Sequence, residues 1–317
     1  MTASLWAIAL LQAILYGALA PLLTGWIRKV KALSQNRRGP SMLQPYRELY
    51  KLFGKEARMA YTASPLFRAA PYVVFLATWI AATAVPLIAT NSPIAAIADV
   101  IVIAGLLALA RFFLALAAMD VGTAFGGMGA SREMLVSALA EPAMLMAVFT
   151  LAMTAHSTNL SSVVEFQIAG VGVLRPSYLF ALAGLALVAI AETGRIPIDN
   201  PATHLELTMT HEAMVLEYSG RHLALMEWAA QLKLVLYGAL IVNIFLPWGI
   251  AQGPGIADLA GGLAVVVVKI ALLGAILAVS ESVLAKMRLF RVPAFLNLAL
   301  LLGLLGLLSH VILEVAS

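Results

Sequence analysis

The sequence predicts an all-α, polytopic membrane protein with about eight transmembrane helices, both termini outside, and large cytoplasmic loops one, three and five. Three observations carry this expectation. The 317 residues are 62% hydrophobic and 11% charged, and the mean hydropathy is +0.96. Apolar runs of about 20 residues, each able to cross roughly 30 Å of hydrocarbon as a helix, recur from end to end. Lysine and arginine are strongly biased toward alternate loops.

The expected spans are Leu5–Ile27, Pro71–Ala89, Val100–Met119, Leu135–Ala155, Pro176–Ala191, Leu223–Trp248, Gly261–Val283 and Pro293–Val315. The first has no preceding positive charge and is long for a signal-peptide apolar region, so a retained helix is expected. The fifth is short. Loop one, about 28–68, carries ten Lys and Arg residues, including Arg37 and Arg38. Loop three, about 119–132, carries Arg132. Loop five, about 192–221, carries Arg195 and Arg221, and loop seven, about 286–292, carries Lys286, Arg288 and Arg291. The second and sixth loops have none and the fourth has only Arg175. Cytoplasmic loops are enriched in Lys and Arg, so the odd loops are assigned there. With no internal repeat of the kind seen in inverted-repeat carriers, residues 1–317 are expected to form a single membrane domain.

The chain has no cysteine. Cysteine-ligated iron–sulfur clusters and zinc are therefore excluded within this polypeptide, and any electron carrier must sit on a partner. In loop one, Gly39-Pro40 marks a turn. Leu43, Tyr46, Tyr50 and Phe53 then recur at helical intervals, which predicts a short amphipathic surface helix. Its basic surroundings suit anionic lipid headgroups as well as a protein partner. Nucleic acid is not expected among the partners. Loop three has four glycines between Gly122 and Gly129 but no GxxxxGK[ST] phosphate loop. A flexible loop leading into the fourth span is expected, with Glu133 favoured by the helix start. Glu141 lies eight residues further on, about 12 Å along the axis. A carboxylate at that depth must be neutral, paired or hydrated.

The densest polar stretch is ETGRIPIDNPATHLELTMTHEAMVLEYSGRHLALMEW, residues 192–228. Titratable groups are expensive in a membrane protein, so this cluster points to function. Arg195 lies three residues after Glu192 and four before Asp199, so one guanidinium can serve both in a compact turn. Pro197 and Pro201 prevent a regular helix there. From about Thr203 a helix is expected, placing Glu206 and Glu217 on nearly one face and Glu212 off it. His204 and His211 share another face. Neither H-x-x-x-H nor H-E-x-x-H occurs, so no metal site is assigned. Interacting carboxylates and histidines with spread pKa values suit stepwise proton transfer. Within the spans stand Arg111, Lys233 and Lys269, with Glu281 near the cytoplasmic end of the seventh. Arg111 is of the kind that pairs across helices, and a lysine can serve as a relay.

The strings GRIPIDNPATHLELTMTHEAMVLEYSG, QNRRGP and SREMLVSALAEPAM resemble the membrane anchor subunit of group 4 [NiFe] hydrogenases of the formate hydrogenlyase and hydrogenase-4 type. That family is similar to the NuoH-type subunit of respiratory complex I. The resemblance covers essentially the whole chain. It implies a subunit beneath a soluble arm, touching a small iron–sulfur subunit and a large [NiFe] subunit, with both cofactors on those partners. It also implies a path of carboxylates toward antiporter-like membrane subunits that move protons or sodium, in a bacterial or archaeal cytoplasmic (inner) membrane. By the resemblance Glu141, Glu192, Asp199, Glu206, Glu212 and Glu217 fall on that path. Lys233, Lys269 and Glu281 are candidate additions. Arg37, Arg38, Arg132, Arg195, His204, His211 and Arg221 are candidates for interface contacts and ion pairing. Complex I relatives enclose a quinone here with a loop of the RAPFDLTEGESEL type. This chain carries RIPIDNPATHLEL instead, which matches the hydrogenase version. A quinone-site subunit, an independent transporter and a passive anchor are the alternatives. Charge gathered at one face argues against a transporter, which needs a mid-membrane substrate site.

Overall fold

A computed structural model describes residues 2–90, 93, 98–169, 175–195, 210–251, 253, 255–283 and 291–314. Asp199, His204, Glu206, Lys286 and Arg288 lie outside the described residues. The helices are α1 (Thr2–Ser34), α2 (Gln44–Phe53), α3 (Pro65–Ala84), α4 (Val100–Asp120), α5 (Ala124–Thr154) and α6 (Leu160–Ile168). They continue with α7 (Pro176–Glu192), α8 (His211–Val215), α9 (Gly220–Phe245), α10 (Ile256–Val283) and α11 (Val292–Ser309), which ends in a π-helical turn, His310–Glu314. Outside helices, the described residues hold only two isolated β-bridges. The chain is an all-α polytopic membrane protein.

Among the described residues, seven helices are long and apolar enough to span a membrane: α1, α3, α4, α5, α9, α10 and α11. The 17-residue α7 is apolar too and stands at the lower limit of a spanning length. It corresponds to the short fifth span expected from the sequence. The central helix is α9, most of which is buried, whereas most of α10 and α11 faces outward. Helix α9 packs on α1 and α3, α1 on α10, and α11 on α5 and α7. Small residues allow close approach in that last group. A Cβ on Gly184 would stand 3.3 Å from the Gly303 nitrogen, and one on Gly306 3.4 Å from the Ala181 nitrogen.

Contacts between helix ends define two faces. On the basic face the C-termini of α1 and α10 meet through Lys31 and Glu281. The Ser64 backbone N–H at the start of α3 donates to Asp120 at the end of α4, and Ser219 before α9 bonds both ways with the Arg58 backbone. On the distal face Ala89 bridges to Ala251 and Asp99 to Asn159. The non-helical stretch 85–90 is buried there. Its carbonyls accept from the Tyr16 hydroxyl at Val85 and from the Asn243 amide at Pro86 and Leu87, while the Leu87 N–H donates to Gln12.

Several boundaries differ from those expected, each for a visible reason. The second span starts six residues early, at Pro65, because Ser64 caps it through the Leu66 N–H. It stops at Ala84, ahead of the Val85-Pro86 pair. Loop three is not a flexible loop. Helix α4 runs to Asp120, Thr123 caps α5, and Gly126 to Gly129 lie inside that helix. Gly126 and Gly129 serve close packing: a Cβ on Gly126 would collide with the Ala118 carbonyl, and one on Gly129 would meet the Thr210 carbonyl at 2.9 Å. Helix α2 forms as expected, but it rests on Pro45 and Leu49, leaving Tyr50 85% exposed. Of the expected face, Tyr46 and Phe53 reach the bundle, through the Ala18 carbonyl and the Trp228 ring.

The long helix expected from Thr203 is also absent over its described part. Only His211–Val215 is helical before α9. Tyr218 breaks the run by turning inward, stacking on Phe67 at 4.0 Å and donating to the Phe67 carbonyl. Gly220 then takes φ +54 against the Glu56 carbonyl, a conformation and a space that suit glycine. No continuous helix therefore carries Glu217 onto a shared face with an earlier glutamate.

Candidate functional site

Arg111 sits in the middle of α4, inside an otherwise apolar helix. Its side chain is 4% exposed. One nitrogen, Nη1, donates to Glu141 Oε1 at 2.7 Å and the other, Nη2, to Glu192 Oε2 at 2.7 Å. Its Nε lies 3.8 Å from Glu133 Oε1. Glu133 and Glu141 are eight residues apart on α5, about two turns, and so face the same neighbour. Glu192 closes α7, and Lys233 of α9 pairs with its Oε2 at 2.7 Å. Four helices therefore deliver two cations and three carboxylates to one point. Each is tolerated at this depth only because the others are there. One turn beyond Lys233, Tyr237 is fully buried and donates to Met144 Sδ at 3.4 Å, closing the inner side.

A cavity of about 270 Å³ opens against this network. Val74, Leu107, Leu114 and Met226 form its apolar wall, and Arg111, Glu133, Glu192 and Lys233 its charged wall. Thr193, Gly194, Thr210, His211 and Glu212 line it toward the basic face. That volume is ample for several waters. Water against paired carboxylates and a lysine can pass protons between the basic face and the buried network. The apolar wall is also of a kind that takes an amphipathic small molecule.

A second ion cluster stands on the basic face. Glu281 of α10, its side chain 8% exposed, accepts from Lys31 at Oε2 (2.9 Å) and from Arg195 at Oε1 (3.0 Å).

The model of the NADH dehydrogenase family matches residues 6–311. The chain belongs to that family. It is 36% identical over 280 residues to hydrogenase-4 component C of Escherichia coli (strain K12), covering 88% of each chain. It is 33% identical over 284 residues to formate hydrogenlyase subunit 4 of the same organism, covering 90% of this chain and 92% of that one. A subunit of the NADH-quinone oxidoreductase of Syntrophotalea carbinolica is 29% identical over 242 residues, or 69% of this chain and 70% of that one. A chain in the structure of the membrane-bound sulfane sulfur reductase (MBS), an archaeal respiratory membrane complex, superposes with TM-score 0.82 at 23% identity. The match covers 95% of this chain and 97% of that one, so the fold is shared.

The fold brings together Glu141, Glu192 and Lys233, three of the residues singled out from sequence. His211 and Glu212 line the cavity. Arg195 does not share its guanidinium with Glu192 as expected; it pairs with Glu281, and Arg111 takes its place at Glu192. Glu217, Arg37, Arg38 and Arg221 are exposed, and Arg132 is half-buried on α5. Lys269 lies apart from both clusters and donates to the Leu246 and Trp248 carbonyls at the end of α9. Sequence reasoning does not anticipate the central role of Arg111 or the inward role of Glu133. The signal is present: an arginine amid apolar residues, and two glutamates at a two-turn spacing. Lys31 is hidden among the ten cations of loop one.

Proposed function

We propose that this chain is the membrane subunit of a multisubunit, hydrogenase-type complex, seated in a bacterial or archaeal cytoplasmic membrane. Its basic face docks a soluble arm of large and small subunits, which carry the [NiFe] centre and the iron–sulfur clusters. Redox chemistry in that arm biases protonation at the cavity. The bias passes through Glu192, Arg111 and Glu141 toward antiporter-like membrane subunits that move protons or sodium. The observation that carries this reading is the Arg111 network, in which Glu141 and Glu192 share one buried guanidinium beside a cavity directed at the basic face. The strong likeness to the two Escherichia coli subunits supports the choice of complex. Glu212 and His211 stand at the entrance, and Asp199, His204, Glu206 and Glu217 are assigned to the same path by their place in the sequence.

The test is to purify the complex through a tag on this chain and identify its subunits by mass spectrometry. A large subunit with paired CxxC motifs and a small iron–sulfur subunit are expected. The same complex carrying Glu141→Gln or Glu192→Gln is expected to evolve H2 while building little membrane potential. A large subunit lacking the cysteines, or intact coupling in both variants, contradicts the proposal. The amphipathic cavity favours one second reading, a quinone-site subunit. Saturable inhibition by a short-chain quinone analogue, lost on narrowing the cavity with Ala229→Phe, would support it.

A further inference from the structure

The C-terminus of α7 links the two ion clusters through a rigid turn. The Gly194 N–H donates to the Ala191 carbonyl at 3.1 Å and the Arg195 N–H to the Ile190 carbonyl at 3.0 Å. Gly194 has φ +63. This double closure, with a left-handed glycine just past the cap, is the Schellman motif, and it leaves little freedom between residues 192 and 195. Glu192 at one end of the turn projects into the Arg111–Lys233 network. Arg195 at the other end projects onto Glu281.

Glu281 is a firm anchor. Both its oxygens are engaged, and its side chain is almost wholly buried. The two helix ends that frame it are held together a second time by the Ser34 and Ser282 hydroxyls, 3.3 Å apart. A charged group with both oxygens paired has one favoured position, and moving one partner exposes an uncompensated charge. The Arg195 side chain is therefore pinned, and the short closed turn transmits that constraint to Glu192.

We propose that Arg195 and Glu281 are positioning residues for the buried network: their pair sets where the Glu192 carboxylate sits between Arg111 and Lys233. Neither residue touches the network itself. This inference rests on the reading of Glu192 as a coupling carboxylate. It adds that the strength of coupling depends on an ion pair outside the cavity. Lys31 shares Glu281, but it is 42% exposed and acts at the solvent edge, so it contributes less.

The test uses the intact complex in proteoliposomes. Reduced methyl viologen drives H2 formation, and a voltage-sensitive dye reports membrane potential whichever ion moves. Arg195→Gln and Glu281→Gln are expected to retain H2 formation and to lose most of the potential. Arg195→Lys and Glu281→Asp, which keep the charges, are expected to recover it, and Lys31→Gln to stay near the unmodified complex. Full potential in both glutamine variants overturns the proposal. So does equal failure of the charge-conserving variants, which would indicate packing alone. Glu192→Gln is run alongside: if it leaves the potential intact, the coupling reading fails and the positioning role falls with it. If Glu192→Gln uncouples while Arg195→Gln and Glu281→Gln do not, only the positioning role fails.

Discussion

Arg111 and Glu192 meet at 2.7 Å, although 81 residues of chain separate them and each comes from a helix that is otherwise apolar near the contact. The pair is supported by Glu141, which takes the other terminal nitrogen of Arg111, and by Lys233, which shares the same Glu192 oxygen. Removing the hub leaves Glu133 and Glu141 without their cation and Glu192 with Lys233 alone. Arg111→Leu is expected to lower stability by about 3–5 kcal/mol, as when one partner of a buried pair is deleted. Arg111→Lys is expected to lose less, since it retains charge while giving up the forked geometry. Thermal unfolding in detergent measures both, and a change below the scatter of the assay for Arg111→Leu would contradict the network as drawn.

Gly129 brings α5 against the segment that carries His211 and Glu212. A side chain there meets the Thr210 carbonyl at 2.9 Å and the Ala213 Cβ at 3.0 Å. Gly129→Val is expected to cost about 1–3 kcal/mol through overpacking. Because α8 is short, the strain falls on it first. Hydrogen exchange at Ala213 to Val215 is expected to rise in the variant while exchange in the middle of α9 stays slow.

Tyr218 anchors the turn between α8 and α9. Tyr218→Ala is expected to lose about 3–5 kcal/mol, the range for emptying a buried aromatic site. Tyr218→Phe keeps the stack on Phe67 and loses only a hydrogen bond, about 1 kcal/mol. Thermal denaturation of the two variants side by side distinguishes them, and equal losses would mean that the stack contributes little.

The same phenol predicts a pH dependence. Burial, aided by the negative charge of Asp120, pushes it well above its ordinary value. A group whose folded pKa is raised contributes stability that is complete below its unfolded pKa, about 10. That contribution is lost as pH climbs toward the folded value. The protein is therefore expected to weaken above about pH 10, and Tyr218→Phe is expected to weaken less over the same range. Parallel alkaline melting curves would remove Tyr218 as the cause.

How much of this is legible in the sequence depends on what decides each feature. Spans are decided by local hydropathy, so α1, α4, α7 and α9 fall within a few residues of expectation at one or both ends. The Gly122–Gly129 run reads as a loop because glycine has low helix propensity. Gly126, Gly127 and Gly129 nonetheless lie inside α5, where a side chain at Gly126 or Gly129 would meet the Ala118 or Thr210 carbonyl. The partner of Glu192 is not the expected one because sequence proximity favours Arg195, while the fold supplies Arg111 from another helix. Glu141 and Lys233 are recognisable singly, since an ionisable residue in an apolar run stands out. Their joint role needs the three-dimensional meeting of α4, α5, α7 and α9.

The buried, non-helical stretch at 85–90 constrains how this chain is made. Its peptide groups find partners from Gln12 and Tyr16, already synthesised, but also from Asn243 and Ala251, some 150 residues later in the chain. Unpaired peptide groups are not tolerated against lipid. Until α9 is translated and inserted, the link between α3 and α4 must stay hydrated at the membrane surface or in the insertion machinery. It settles into the distal side when α9 arrives, which makes closure of that side a late event in biogenesis.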